Sequence, residues 1–268
     1  MNDIIPIFDS LTHPTINGNW LKPQYDGKNL INLLMQEMQT QNVYKAFSVG
    51  MERIGDYHPD YYIKMIQEYG QEKLLPIAFL SLKEKCINDI KNELLNLKSK
   101  GYIGIKLHAR IGRFLLNDTR LPEIIDFANE IGLTVLFCTY FYSSDQSYLS
   151  NNIYCLGELL THIDSQSKII LLHGGDVELL KMAEITRNFS NTLLDLSFTL
   201  CKYEGSSIDN DILFLFKNFD KKICIGSDFP EFSLENTRIR FNYFSQNISR
   251  EKAENIAYKN LEHFISKQ

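Results

Sequence analysis

The sequence predicts an α/β fold, a (β/α)8 TIM barrel, as one domain over residues 1–268. Three observations lead there. Eight short apolar runs alternate strictly with longer stretches of helical spacing. The length of 268 residues suits one such barrel, which takes about 250. No Pro/Gly/Ser-rich, highly charged or low-complexity stretch offers a linker between two domains, and no repeat of solenoid period appears.

The expected strands are Ile4–Phe8, Val43–Val49, Leu74–Leu80, Ile103–His108, Thr134–Thr139, Lys168–His173, Thr192–Ser197 and Lys222–Gly226. Each is rich in Ile, Leu, Val or Phe and is bounded by polar, Gly or Pro residues. Runs that stay apolar without alternating suit parallel strands buried on both faces. Between the first two, "NLINLLMQEMQTQN" (29–42) carries apolar residues at 30, 31, 34, 35 and 38, which is helical spacing. A helix over 58–70 follows the second strand. "INDIKNELLNLKSKG" (87–101) repeats the helical pattern and stops at Lys-Gly. "LPEIIDFANEIG" (121–132) has Pro in its first turn and Gly at its end. Further helices are expected over 153–165, 176–189, 207–219, 233–247 and 249–266. A doubly wound open sheet fits less well, because no Gly-rich phosphate loop follows the first strand.

Composition narrows the function classes. The net charge is −5 and the 28 Lys and Arg residues are scattered, so no basic stripe marks a nucleic-acid surface. No apolar run approaches the roughly 18 residues of a membrane span, and no basic-then-apolar leader opens the chain. A soluble, cytoplasmic protein acting on a small molecule is expected, and a homo-oligomer is compatible with this. Five cysteines, at 86, 138, 155, 201 and 224, are odd in number and widely spaced. They suit neither a disulfide framework nor a Cys-x-x-Cys zinc site.

In a barrel of this kind chemistry belongs at the C-terminal ends of the strands. There the sequence places Asp9, Leu11 and His13; Lys106 and His108; Cys138 and Tyr140; His173; Asp195 and Ser197; and Asp228. Residues two apart share a strand face, which pairs Lys106 with His108 and would align Asp9, Leu11 and His13. Three of the six histidines fall at or just past strand ends. Bland roles exist for each: His173 before Gly174-Gly175 could satisfy a loop, Asp228 before Phe-Pro could open a turn, and Cys138 could be a small core residue. Asp195 reads as structural. Tyr140, Phe141 and Tyr142, with Trp20 in the first loop, could wall a small-molecule site.

The pieces "FDSLTH", "GYIGIKLH", "GLTVLFCTY", "KIILLHGG", "NTLLDLS", "ICIGSDFP" and "AYKNLEHFI" together resemble the amidohydrolase superfamily, specifically its amidohydrolase-related, aminocarboxymuconate-semialdehyde decarboxylase-like group. The resemblance covers nearly the whole chain. It implies a hydrolase or non-oxidative decarboxylase acting on a small carboxylate, lactone or amide. It makes His13 the second ligand of a strand-1 His-x-His pair and puts Leu11 where the first His belongs. Cys138 stands where a strand-5 His ligates, His173 matches the strand-6 His, and Asp228 matches the strand-8 Asp that ligates metal and handles a proton. A single divalent metal, zinc in the first instance, would then be held by His13, Asp228, Cys138 and His173. Asp228 would act as general base, His173 would be catalytic, His13 would assist, and Lys106, His108, Tyr140 and Trp20 would bind substrate. Loss of the first His disfavours a carbamylated Lys106 bridging two metals. Because two of the four ligand positions are changed, two alternatives stand beside the metal-assisted enzyme. One is a metal-free lactonase, a type the superfamily also contains; the other is a barrel that has lost catalysis and binds a small molecule.

Overall fold

Eight parallel strands, in the order β1 to β8, form one nearly closed barrel in the computed structural model, which describes residues 4–18, 20, 27–52, 57–142 and 152–266. The strands are β1 (Ile7–Thr12), β2 (Val43–Val49), β3 (Leu74–Leu80), β4 (Gly104–Leu107), β5 (Thr134–Cys138), β6 (Ile169–Leu172), β7 (Thr192–Asp195) and β8 (Ile223–Cys224). The helices are α1 (Leu30–Thr40), α2 (Pro59–Tyr69), α3 (Ile87–Ser99), α4 (Ala109–Gly112), α5 (Leu121–Glu130), α6 (Asn152–His162), α7 (Leu179–Asn188), α8 (Thr199–Lys202), α9 (Ile208–Asn218), α10 (Leu234–Ser245), α11 (Arg250–Glu254) and α12 (Asn260–Ser266). No helix among the described residues is long and apolar enough to cross a membrane.

Period-two alternation divides the core into two shells. Ile7, Ala46, Ala78, Ile105, Val135, Ile169 and Leu194 pack outward against the helices. Phe8, Phe47, Ile77, Leu136, Ile170, Leu193 and Cys224 fill the barrel interior. Leu261, with partly buried Tyr258, Phe264 and Ile265, joins the inner shell from the last helical segment. That segment is pinned by the Asn260 side-chain amide, which donates to the Asp220 carbonyl at 2.6 Å and the Ile223 carbonyl at 2.8 Å. It is not the single helix expected over 249–266: a wider turn at Asn255–Lys259 separates α11 from α12.

The strand ends depart from the sequence reading where polar side chains do structural work. β1 runs to Thr12 rather than stopping at Phe8, and all six of its residues are buried. Its pairing with β2 slips between Asp9 and Thr12, which breaks the expected shared face of Asp9, Leu11 and His13. Asp9 turns onto the backbone, accepting the Leu11 N–H at 3.1 Å and the Ser227 N–H at 3.0 Å. Leu11 packs into the inner shell with Phe8 and Phe47. β8 is only two residues long. Beyond it, Gly226 lies so close to β1 that a Cβ would meet Ser10 Oγ at 2.6 Å and Asp9 Oδ1 at 2.9 Å. The seam is closed by single backbone bonds, among them Ser10 N–H to Ile225 at 3.1 Å and Asp228 N–H to Leu11 at 2.9 Å.

Asp9 carries a measurable signature. Burial drives its carboxyl up from 3.8 to about 7, against the hydrogen bonds from Ser227 and Leu11, and its Oδ2 has no partner. Asp195 is raised in the same direction by burial. A folded-state value above the unfolded one favours the protonated native form. The stability it brings is complete below about pH 4 and is lost as pH climbs through about 7. The Asp9→Asn variant is therefore expected to flatten the fall in unfolding free energy between pH 4 and 8 by on the order of 3–4 kcal/mol. Urea titrations across that range check this; equal slopes for variant and parent would contradict it.

Candidate active site

His13, Trp20, Lys106, His108, Cys138, Tyr140, His173 and Asp228, the eight residues given catalytic, binding or metal roles from the sequence, line one cavity of about 260 Å³ at the C-terminal ends of the strands, whereas Phe141 and Tyr142 do not. Met51, Arg110, Ile111, Phe198 and Glu231 complete its wall. None of these five was singled out. Arg110 was within reach of the same logic, since it lies two residues past the strand-end His108; Phe198 and Glu231 sit in loops that carry no signal of their own.

The backbone presents these side chains under strain. His173 and Asp228 both adopt left-handed φ, +67° and +58°. Such conformations cost non-glycine residues of order 1–3 kcal/mol and cluster at functional sites. After His173 the chain continues left-handed through Gly174 and Gly175, at +56° and +74°, where glycine alone pays no steric cost. This tight turn replaces the first residues of the helix expected from 176, so α7 begins at Leu179. Asp195 holds the turn: its carboxylate accepts the backbone N–H of His173 at 3.2 Å and of Ser197 at 3.1 Å, and the hydroxyls of Ser10 and Ser197. The structural reading of Asp195 agrees with this position.

Backbone carbonyls fix the imidazole tautomers, because a carbonyl only accepts. His13 Nδ1 lies 2.9 Å from the Val49 carbonyl, so it carries the proton and leaves Nε2 as an acceptor. Lys106 Nζ donates to that Nε2 at 3.1 Å, and Asp228 Oδ1 lies 3.3 Å from the same nitrogen. His173 Nδ1 donates to the Ser197 carbonyl at 3.3 Å, which leaves its Nε2 unprotonated. His108 is the reverse case. Its Nδ1 caps α4 by accepting the Ile111 N–H at 3.4 Å, so Nε2–H is a donor. Trp20 stacks on His13, with ring centroids 5.3 Å apart and planes 17° from parallel.

Burial keeps the imidazoles neutral. It is the largest influence on His173, lowering it to about 4 against the pull of the Asp228 charge. His13 is lowered by burial and then by Lys106, and His108 falls further for the same two reasons plus Arg110. Burial would raise Asp228, but the adjoining His13 and the nearby His173 and Lys106 hold it below the usual carboxylate range. Burial lowers Lys106, opposed by Cys138, Asp228 and Asp195, and raises the Cys138 thiol. Asp228, His13 and Lys106 thus form one polar cluster in which a single nitrogen, His13 Nε2, faces both a carboxylate oxygen and the lysine nitrogen. Asp228 is its more open member, with 13% of its side chain exposed.

A divalent metal does not fit this donor set. Leu11 is fully buried in apolar contacts and offers no lone pair. His13 Nε2, the lone pair a metal would need, accepts the Lys106 ammonium. Burial pushes the Cys138 thiol up, which disfavours the thiolate that zinc binds. Among the described residues no three His, Cys, Asp or Glu side chains are gathered so that they could hold a metal ion. His13, Asp228, Cys138 and His173 share a cavity without forming such a group.

Fold and cavity together define a TIM barrel with its ionisable side chains converging at the strand ends, the position where barrel enzymes react. Neither a protein-family model nor the sequence of a curated protein matches the chain. Solved structures do match in fold, and they include members of the amidohydrolase superfamily. An uncharacterized TIM-barrel protein from Bordetella bronchiseptica superposes with a TM-score of 0.81 at 16% identity, over 98% of this chain and 99% of its own. A 5-carboxyvanillate decarboxylase from Sphingomonas paucimobilis gives 0.66 at 9% identity, over 98% and 99%. The decarboxylase of that name from Novosphingobium aromaticivorans, complexed with manganese and a nitrobenzoic acid, gives 0.57 at 11% identity, over 87% and 79%.

Proposed function

We propose that this cavity hydrolyses a small activated ester, a lactone in the first instance, without a metal ion. The observation that carries this is the Lys106–His13–Asp228 chain, which sets the Lys106 nitrogen against the imidazole nitrogen that a metal would otherwise claim. Asp228, ionised and open to the cavity, takes a proton from water, and the resulting hydroxide attacks the ester carbonyl. The Lys106 ammonium and the His108 Nε2–H supply positive dipoles for the developing oxyanion. Protonated Asp228 then returns the proton to the leaving alkoxide. His173, neutral with Nε2 free to accept, orients the attacking water or the substrate hydroxyl. Activated esters need less electrophilic help than amides, which suits an ammonium in place of a metal.

The fold neighbours include decarboxylases, and the two chemistries separate cleanly in their products. Purified protein is expected to open a subset of five- and six-membered lactones, releasing acid and taking one oxygen from ¹⁸O-labelled water into the product carboxylate. Release of CO₂ from aromatic carboxylates, with no lactone opened, would replace the hydrolytic reading with the decarboxylase one.

A further inference from the structure

Every buried or half-buried arginine among the described residues but one is saturated with acceptors. Arg238 donates to the carbonyls of Gln41, Ile5 and Asn42. Arg240 donates to the Leu200 carbonyl and pairs with Asp209 and Glu204. Arg120 is held by Asp118 and the carbonyls of Leu82 and Lys85. Arg110 is the exception. It lines the reacting cavity, its Nε is buried without a hydrogen-bond partner, and it forms no ion pair with a described residue. Its ring contact among the described residues is with Tyr140, whose centroid lies 5.5 Å from the guanidinium carbon.

A buried guanidinium N–H with no acceptor is costly, and native structures rarely leave one so. The Tyr140 ring offers a cation–π contact that takes up none of the guanidinium N–H donors. The guanidinium matches a carboxylate in shape and charge, and pairs with it through two parallel hydrogen bonds. Two carboxylates, Asp228 and Glu231, also line the cavity, and neither pairs with Arg110. Arg110 lies just beyond β4, at the start of α4, and lines the same cavity as Lys106, so a carboxylate held there would lie beside the Lys106–His13–Asp228 chain.

We infer that Arg110 is the substrate-binding residue for a carboxylate, and that the substrate is a small lactone or ester bearing a free carboxylate beside the reacting carbonyl. This rests on the cavity being the reacting site proposed above. Tyr140 and Phe198 supply apolar faces, and the cavity of about 260 Å³ limits the ligand to a small molecule.

The test separates binding from turnover. Aliphatic and aromatic hydroxycarboxylates, each beside its primary amide, are titrated by calorimetry into the parent protein and into Arg110→Gln and Arg110→Lys. At least one acid is expected to bind the parent, its amide to bind on the order of 10- to 100-fold more weakly, and Arg110→Gln to lose the acid's advantage. Arg110→Lys keeps a charge without the fork and should recover only part of it. Amides binding as well as acids, no acid binding at all, or undiminished acid binding by Arg110→Gln would each overturn the inference. If acids bind through Arg110 but no lactone is opened, the carboxylate site stands and the hydrolytic reading falls. If lactones are opened with equal kcat/KM by parent and Arg110→Gln, the reverse holds.

Discussion

Asp228→Asn is expected to lower kcat for lactone opening by at least about 1000-fold while leaving the fold intact. The side chain keeps its size and its contact with His13, 3.3 Å away, but loses the ability to take a proton from water. Asn is also among the few residues that tolerate the left-handed backbone found here, at φ +58°. Alanine would confound lost chemistry with backbone strain, so Asn is the informative choice. Thermal unfolding should move by no more than a few degrees. A variant that kept more than a tenth of parental kcat would remove Asp228 from the role of base and leave it to His173 or Glu231, which line the same cavity.

Lys106→Met is expected to separate activity from stability. The ammonium is 2% exposed, and burial lowers its pKa against the pull of Cys138, Asp228 and Asp195. Methionine fills a similar volume and requires no buried charge. Unfolding free energy should change by no more than about 1–2 kcal/mol, because relief of the desolvated charge offsets the support that Lys106 gives to Asp228. Turnover should fall about 100- to 1000-fold, the usual loss when an oxyanion donor is removed. Denaturant titration and steady-state kinetics on the same preparation measure both. A loss of stability comparable to that of a core cavity, with kcat per folded molecule unchanged, would make Lys106 a structural residue.

The strands were legible because their composition is set by burial on both faces, and β2 and β3 match the sequence reading to the residue. β1 was misjudged because Asp9 and Ser10 look like the start of a loop. Their polarity is absorbed by backbone N–H groups and by Asp195, partners more than 180 residues away that no local pattern announces. The short β8 has the same origin, in a close approach across the barrel seam at Gly226. The cavity lining was legible in large part as a set of residues, since strand ends in a barrel converge by construction. Its electrostatics were not. That Lys106 donates to the His13 nitrogen which the family resemblance assigned to a metal depends on side-chain geometry within the cavity. Arg110 went unnoticed because its significance lies in the partners it lacks, and sequence carries no record of those.

Removal of divalent metal tests the central claim most directly. The protein is dialysed against chelator, its metal content is read by elemental analysis, and lactone opening is assayed on that same sample with and without added zinc or manganese. Full turnover is expected at less than about a tenth of a metal ion per chain, unchanged by either ion, because Lys106 supplies the positive charge. Activity lost on chelation and restored in proportion to one bound metal per chain would contradict it.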